Sequence, residues 1–101
     1  MTEPYLITIE AKTNLIRLAG DLTFATANEV LKQAEELFKP ITSLDIDLSG
    51  ITRSDSSGLA LLVHWIRQAR HENKKITFHN VPAKMLVIAT ASGLDELLPI
   101  Q

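Results

Sequence analysis

Asp55-Ser56-Ser57-Gly58 is the stretch of this sequence best equipped for chemistry, with a carboxylate, adjacent hydroxyls and a glycine where an alternating apolar run gives way to a helical pattern. Each of the Asp and Ser side chains can accept a hydrogen bond from the free backbone N–H groups of a helix's first turn, and Gly58 allows a tight bend without a Cβ clash. Such a helix end carries partial positive charge and unpaired donors, so a serine there could bear a phosphate at low electrostatic cost. The same residues also suit a strand-to-helix turn that only folds, and spacing alone leaves both readings open.

Other chemistries find little support. His64, His71 and His79 show no metal-ligand spacing with one another or with paired carboxylates, so no metal is expected. No G-x-S-x-G elbow surrounds Ser56 or Ser57, and no histidine is tied to them by sequence, so a serine hydrolase is not expected. Neither G-x-x-x-x-G-K-[ST] nor G-x-G-x-x-G occurs, and no nucleotide cofactor is implied. Asp45 and Asp47 resemble the acidic pocket of a phospho-acceptor domain, but they alternate with Leu44, Ile46 and Leu48, which better fits the wet face of a strand. The expectation is therefore a protein that binds rather than catalyses.

Elements that would position this turn can be read in chain order. Tyr5–Glu10 and Leu15–Gly20 are β-branched runs joined by Ala11-Lys12-Thr13-Asn14, which predicts an antiparallel hairpin. Ala27, Val30, Leu31, Ala34, Leu37 and Phe38 then recur at helical spacing, with Thr26 and Glu29 as a capping-box pattern and Pro40 as the stop. A strand over Leu44–Ser49 leads to a helix over Ser57–Glu72 whose core stripe is Leu59, Leu62, Val63, Ile66 and Ala69. Ala60, Leu61, His64, Trp65 and Gln68 fall beside or behind that stripe. This leaves an indole and a leucine near solvent as a partner surface, unless Trp65 wraps onto the edge of the core. A further strand, Ile76–His79, a helix over Ala83–Ser92 closed by Gly93, and an apolar tail, Leu94–Ile100, complete the order. Alternating strands and helices after a hairpin predict an α/β fold with a mixed sheet, right-handed crossovers and helices mainly on one face.

Composition bounds the partners. A chain of 101 residues suits a single domain, 1–101, and a net charge of −2 argues against nucleic acid or an anionic membrane surface. The absence of Cys removes disulfides and thiol chemistry and fits a reducing compartment. Met1-Thr2-Glu3-Pro4 lacks a basic leader-type region, and no apolar run approaches the ~20 residues of a membrane span. The expectation is a cytoplasmic protein without direct membrane insertion.

These residues together resemble the STAS domain family. The matching positions are Leu18-Ala19-Gly20-Asp21-Leu22, Ile46-Asp47-Leu48-Ser49, Asp55-Ser56-Ser57-Gly58-Leu59 and Gly93-Leu94-Asp95-Glu96-Leu97-Leu98-Pro99, spread over essentially the whole chain. The resemblance implies a STAS fold and a protein-binding role of one of two kinds. In anti-sigma factor antagonists the serine directly before the glycine, here Ser57, takes phosphate from an anti-sigma factor kinase. In the MlaB-type subunit of the bacterial phospholipid-transport ABC complex, the domain supports the cytoplasmic ATPase subunit, and the hydroxyl after the aspartate, here Ser56, matters. The block Leu59-Ala60-Leu61-Leu62 followed by His64 is similar to the MlaB type, and Thr23 stands where antagonists tend to carry an aspartate. The implied partner is thus the ATPase of an Mla-type transporter that maintains outer-membrane lipid asymmetry, held peripherally at the inner membrane, with the antagonist as alternative. The expected contact surface is Asp55, Ser56, Ser57, Gly58, Leu61, His64 and Trp65. An exposed Trp65 would serve a homodimer equally well.

Overall fold

The computed structural model describes residues 4–101, so the reading of Met1-Thr2-Glu3 lies outside the described residues. β1 (Tyr5–Ile9) and β2 (Ile16–Leu22) pair antiparallel, from Tyr5 opposite Gly20 to Ile9 opposite Ile16. Asn14 closes the hairpin with φ 59°, a left-handed conformation that Asn tolerates better than most residues. α1 (Ala27–Phe38), β3 (Ser43–Ser54), α2 (Ser56–His71), β4 (Lys75–His79) and α3 (Ala83–Ala91) follow. The sheet order is β1-β2-β3-β4, with β2–β3 and β3–β4 parallel, so α1 and α2 are the crossovers those parallel pairs require.

Burial follows the strand period. Ile16, Leu18 and Leu22 of β2, Leu44, Ile46 and Leu48 of β3, and Phe78 of β4 are all buried. Val30, Ala34 and Phe38 of α1, Leu59, Leu62, Ile66 and Ala69 of α2, and Met85 and Ala89 of α3 close over them. The helices pack side by side, α1 on α2 and α2 on α3, on that face. The opposite face carries Arg17, Asp45 and His79.

Local features differ from expectation in ways that bear on the site. β3 does not end at Ser49 but continues to Ser54, because Gly50–Ser54 keep pairing with Ala19–Leu22 of β2 through register shifts. Only Asp55 then separates strand from helix. Thr26 precedes α1 but makes no capping bond; its buried Oγ1 donates to Asp21 O at 2.8 Å and accepts from Thr23 N–H at 3.1 Å, which fixes the β2–α1 loop instead. Leu61, expected near solvent, is buried at 5% exposure, and of the two placements open for Trp65, partner surface or core edge, the structure takes the core, at 3%. α2 lies between α1 and α3 as well as on the sheet, so its apolar arc is wider than one stripe, while Val63 on that stripe is only half-buried. Lys74 joins the ends of two helices: its Nζ donates to Phe38 O (2.9 Å) and Lys39 O (3.2 Å) at the end of α1 and lies 3.2 Å from Glu72 Oε1 at the end of α2.

The tail folds back: Gly93, at φ 72°, ends α3, Leu98 is buried, and Ile100 bridges Phe78 along the outer edge of β4.

Candidate functional site

Asp55 is the N-cap of α2, and its carboxylate does two jobs. Oδ1 accepts from Ser57 N–H at 2.8 Å, and Oδ2 accepts from Phe24 N–H at 3.0 Å. One side chain thereby closes the first turn of α2 and ties the β2–α1 loop to it. These bonds, from Phe24 first and then Ser57 and Gly58, outweigh partial burial and hold the Asp55 carboxyl below the ordinary aspartate value. A group whose folded pKa is depressed adds stability that is present above the ordinary value of 3.8 and is lost as pH falls through the lower folded value. Asp55→Ala should lower stability by about 1 kcal/mol near neutral pH, the usual worth of an N-cap. Thermal midpoints measured from neutral to acid pH should converge for the two proteins at the acid end; parallel curves would contradict the assignment.

Gly58 is required by packing rather than by a bend. It lies within α2, and a Cβ built on it would sit 2.4 Å from Leu22 O and 3.2 Å from Met85 Cε. This close approach sets the start of α2 directly against β2.

Ser56 is exposed and Ser57 half-buried in the first turn, and neither hydroxyl makes a hydrogen bond among the described residues. Ser57, Ala60, Leu61 and His64 lie on one side of α2 and line a groove against Ala27, Asn28 and Leu31 of α1, with Phe24 at its end. Leu61 is the groove's floor, and His64 is exposed. The structure therefore brings together Asp55, Ser56, Ser57, Gly58, Leu61 and His64. Trp65 lies deeper in the α1–α2 contact: its ring meets Phe38 edge-on at 5.4 Å and lines, with His64, a further cavity between the two helices. As exposed contacts, Leu61 and Trp65 are corrected to core positions.

Sequence reasoning passed over Phe24, which is 84% exposed, the most exposed of the large apolar side chains among the described residues. It stands between the groove above and a second one lined by Thr52, Arg53, Asp55, Pro82 and Lys84. A phenylalanine in a loop, matching neither the strand nor the helix period, was the available signal.

The carboxylates of the open sheet face are tethers. Asp47 is buried, not wet; Oδ1 accepts from Ser49 N–H (2.9 Å) and Asn80 Nδ2 (3.1 Å), while Arg17 lies 4.0 Å from Oδ2. Burial pushes its carboxyl up, but these bonds and the Arg17 charge together hold it below the ordinary value. Asp45 Oδ1 is 2.9 Å from His79 Nε2, joining β3 to β4. Among the described residues no group of three or more His, Cys, Asp or Glu could hold a metal ion, and no helix is long and apolar enough to cross a membrane.

A one-layer cover of helices on a mixed sheet, with a capped, hydroxyl-bearing helix start beside an open groove, defines a small α/β domain. The chain matches the model of the family described as Mlab, STAS domain over residues 6–99, and it belongs to the STAS domain family, MlaB type. It is 34% identical over 85 residues to the intermembrane phospholipid transport system binding protein MlaB of Escherichia coli (strain K12), covering 83% of this chain and 86% of that one. Two solved anti-sigma factor antagonists share the fold. SpoIIAA in its unphosphorylated form superposes with a TM-score of 0.72 at 18% identity, over 95% of this chain and 88% of its own. An antagonist from Mycobacterium paratuberculosis gives 0.75 at 17% identity, over 99% and 89%.

Proposed function

We propose that this chain, as a single STAS module, is the non-catalytic subunit of an Mla-type ABC transporter that moves phospholipids between membranes. It binds and supports the cytoplasmic ATPase subunit and is held at the inner membrane through that partner. The observation that carries this reading is the start of α2: Ser56 is exposed and unbonded, beside an open groove, on a turn made rigid by the bonds of Asp55 and the packing of Gly58. The Ser57 hydroxyl, the Asn28 amide and His64 around a buried leucine floor suit a protein partner, which would cover the groove and satisfy these polar groups. The 34% identity to an MlaB supports the choice of transporter.

Ser56→Asp places a like charge next to Asp55 in the middle of that contact. In a pull-down with the ATPase subunit of the phospholipid transporter from the same genome, the wild-type chain should be retained, Ser56→Thr should follow it, and Ser56→Asp should fall at least tenfold. Undiminished binding by Ser56→Asp would remove this end of α2 from the interface. The competing assignment is an anti-sigma factor antagonist phosphorylated on Ser57. It rests on the unbonded Ser57 hydroxyl in the same groove, and retention by an anti-sigma factor kinase in place of the ATPase would select it.

A further inference from the structure

Phe24 is the anomaly of the surface. Its ring is 84% exposed, while its backbone N–H is fixed by Asp55 Oδ2 at 3.0 Å and the loop behind it by the buried Thr26. An aromatic presented on an immobilised loop binds with little further loss of conformational freedom, the property of an anchor residue. The groove on its far side from His64 carries Arg53 and Lys84, and neither makes an ion pair within 4.0 Å among the described residues. The only carboxylate lining that groove is Asp55, which accepts from Phe24 and Ser57 and whose charge Lys84 partly balances, so Arg53 is left as the groove's unmatched cation. The surface thus offers an apolar knob beside the unmatched charge of Arg53, with Lys84 facing Asp55 and Ser56 next along the chain.

We infer that Phe24 is the principal apolar anchor of the ATPase-docking surface, inserting into an apolar pocket on that subunit while Arg53 and Lys84 meet carboxylates at the pocket's rim. The inference rests on the transporter reading above and adds to it the chemistry the partner must present. Charge complementarity selects this occupant over a second copy of the chain. A copy would bring its own Arg53 and Lys84 to an isologous contact, where like charges oppose each other.

The test is a titration of the full-length chain against the purified ATPase subunit at low and high salt, with Phe24→Ala and Arg53→Glu alongside. Both side chains are exposed, so thermal midpoints should stay near wild type. Expected are a loss of affinity of tenfold or more for Phe24→Ala at either salt, and for Arg53→Glu a tenfold loss at low salt that shrinks at high salt. Wild-type binding matched by both variants would overturn the anchor while leaving the transporter reading intact. No binding by the wild-type chain would overturn the transporter reading and this inference with it.

Discussion

Trp65→Ala should cost about 3–5 kcal/mol of folding stability, the range for truncating a large buried aromatic. The ring is 3% exposed, and its edge-on contact with Phe38, at 5.4 Å and 63°, joins α1 to α2. Such a pair is worth about 0.5–1.5 kcal/mol beyond the area it buries. One term opposes this: the indole Nε1 is buried and finds no hydrogen-bond acceptor among the described residues, so removing it relieves a desolvation cost of about 1–3 kcal/mol. Trp65→Phe separates the contributions, since it keeps an aromatic against Phe38 and deletes only the orphan donor and part of the volume. Denaturant titrations should place Trp65→Phe much closer to wild type than Trp65→Ala, and the proposed ATPase binding should decline in Trp65→Ala only to the extent that the protein unfolds. A Trp65→Ala protein that stays stable but loses its partner would return the indole to the interface.

Sequence and structure diverge at Trp65 for a reason that applies along the whole chain. Alternation in Leu44, Ile46 and Leu48 is legible because a strand's two faces are set by its own backbone, and the sheet buries one of them. Helical spacing in α1 is legible in the same way, as is the end of α3 at Gly93. How wide an arc of α2 is covered depends on α1 and α3, elements distant in the chain, so wheel angles place Leu61 and Trp65 on a flank that tertiary packing then buries. The extension of β3 to Ser54 comes from pairing with β2, since Thr52 and Arg53 carry no apolar alternation of their own. Within the site, Asp55 is legible as a cap. Its second bond, to Phe24 across the fold, is not, because it joins residues 31 apart. Phe24 belongs to no period, so its exposure appears only once the loop's path is known.

Gly58 shows the same division most sharply, and it yields the next largest effect. Gly58→Ala should raise the intrinsic helix preference of α2 by about 1 kcal/mol, since Gly is the poorer helix former. Packing decides against it. The new methyl would meet Leu22 O, a backbone atom of the central sheet, at 2.4 Å, with Leu22 Cγ at 3.3 Å and Met85 Cε at 3.2 Å. Met85 can adjust, but Leu22 O cannot without moving β2, and overpacking against a rigid neighbour costs about 1–3 kcal/mol or more. The net should be a loss of about 2 kcal/mol, a fall of roughly 10 °C in thermal midpoint for a domain of this size. Relief of the clash requires the first turn of α2 to lift from β2, carrying Ser56 with it and stretching the bonds from Phe24 N–H and Ser57 N–H to Asp55. On the proposed docking, ATPase affinity should therefore fall in Gly58→Ala below its own melting transition, although no side chain of the proposed contact has been removed. Gly93→Ala is the control: its φ of 72° strains an alanine, but nothing lies within 4 Å of the added methyl. It should destabilise by about 1 kcal/mol and leave partner binding unchanged, because the end of α3 holds no part of this surface. A Gly58→Ala protein as stable and as competent in binding as wild type would show that the start of α2 is not set by its approach to Leu22.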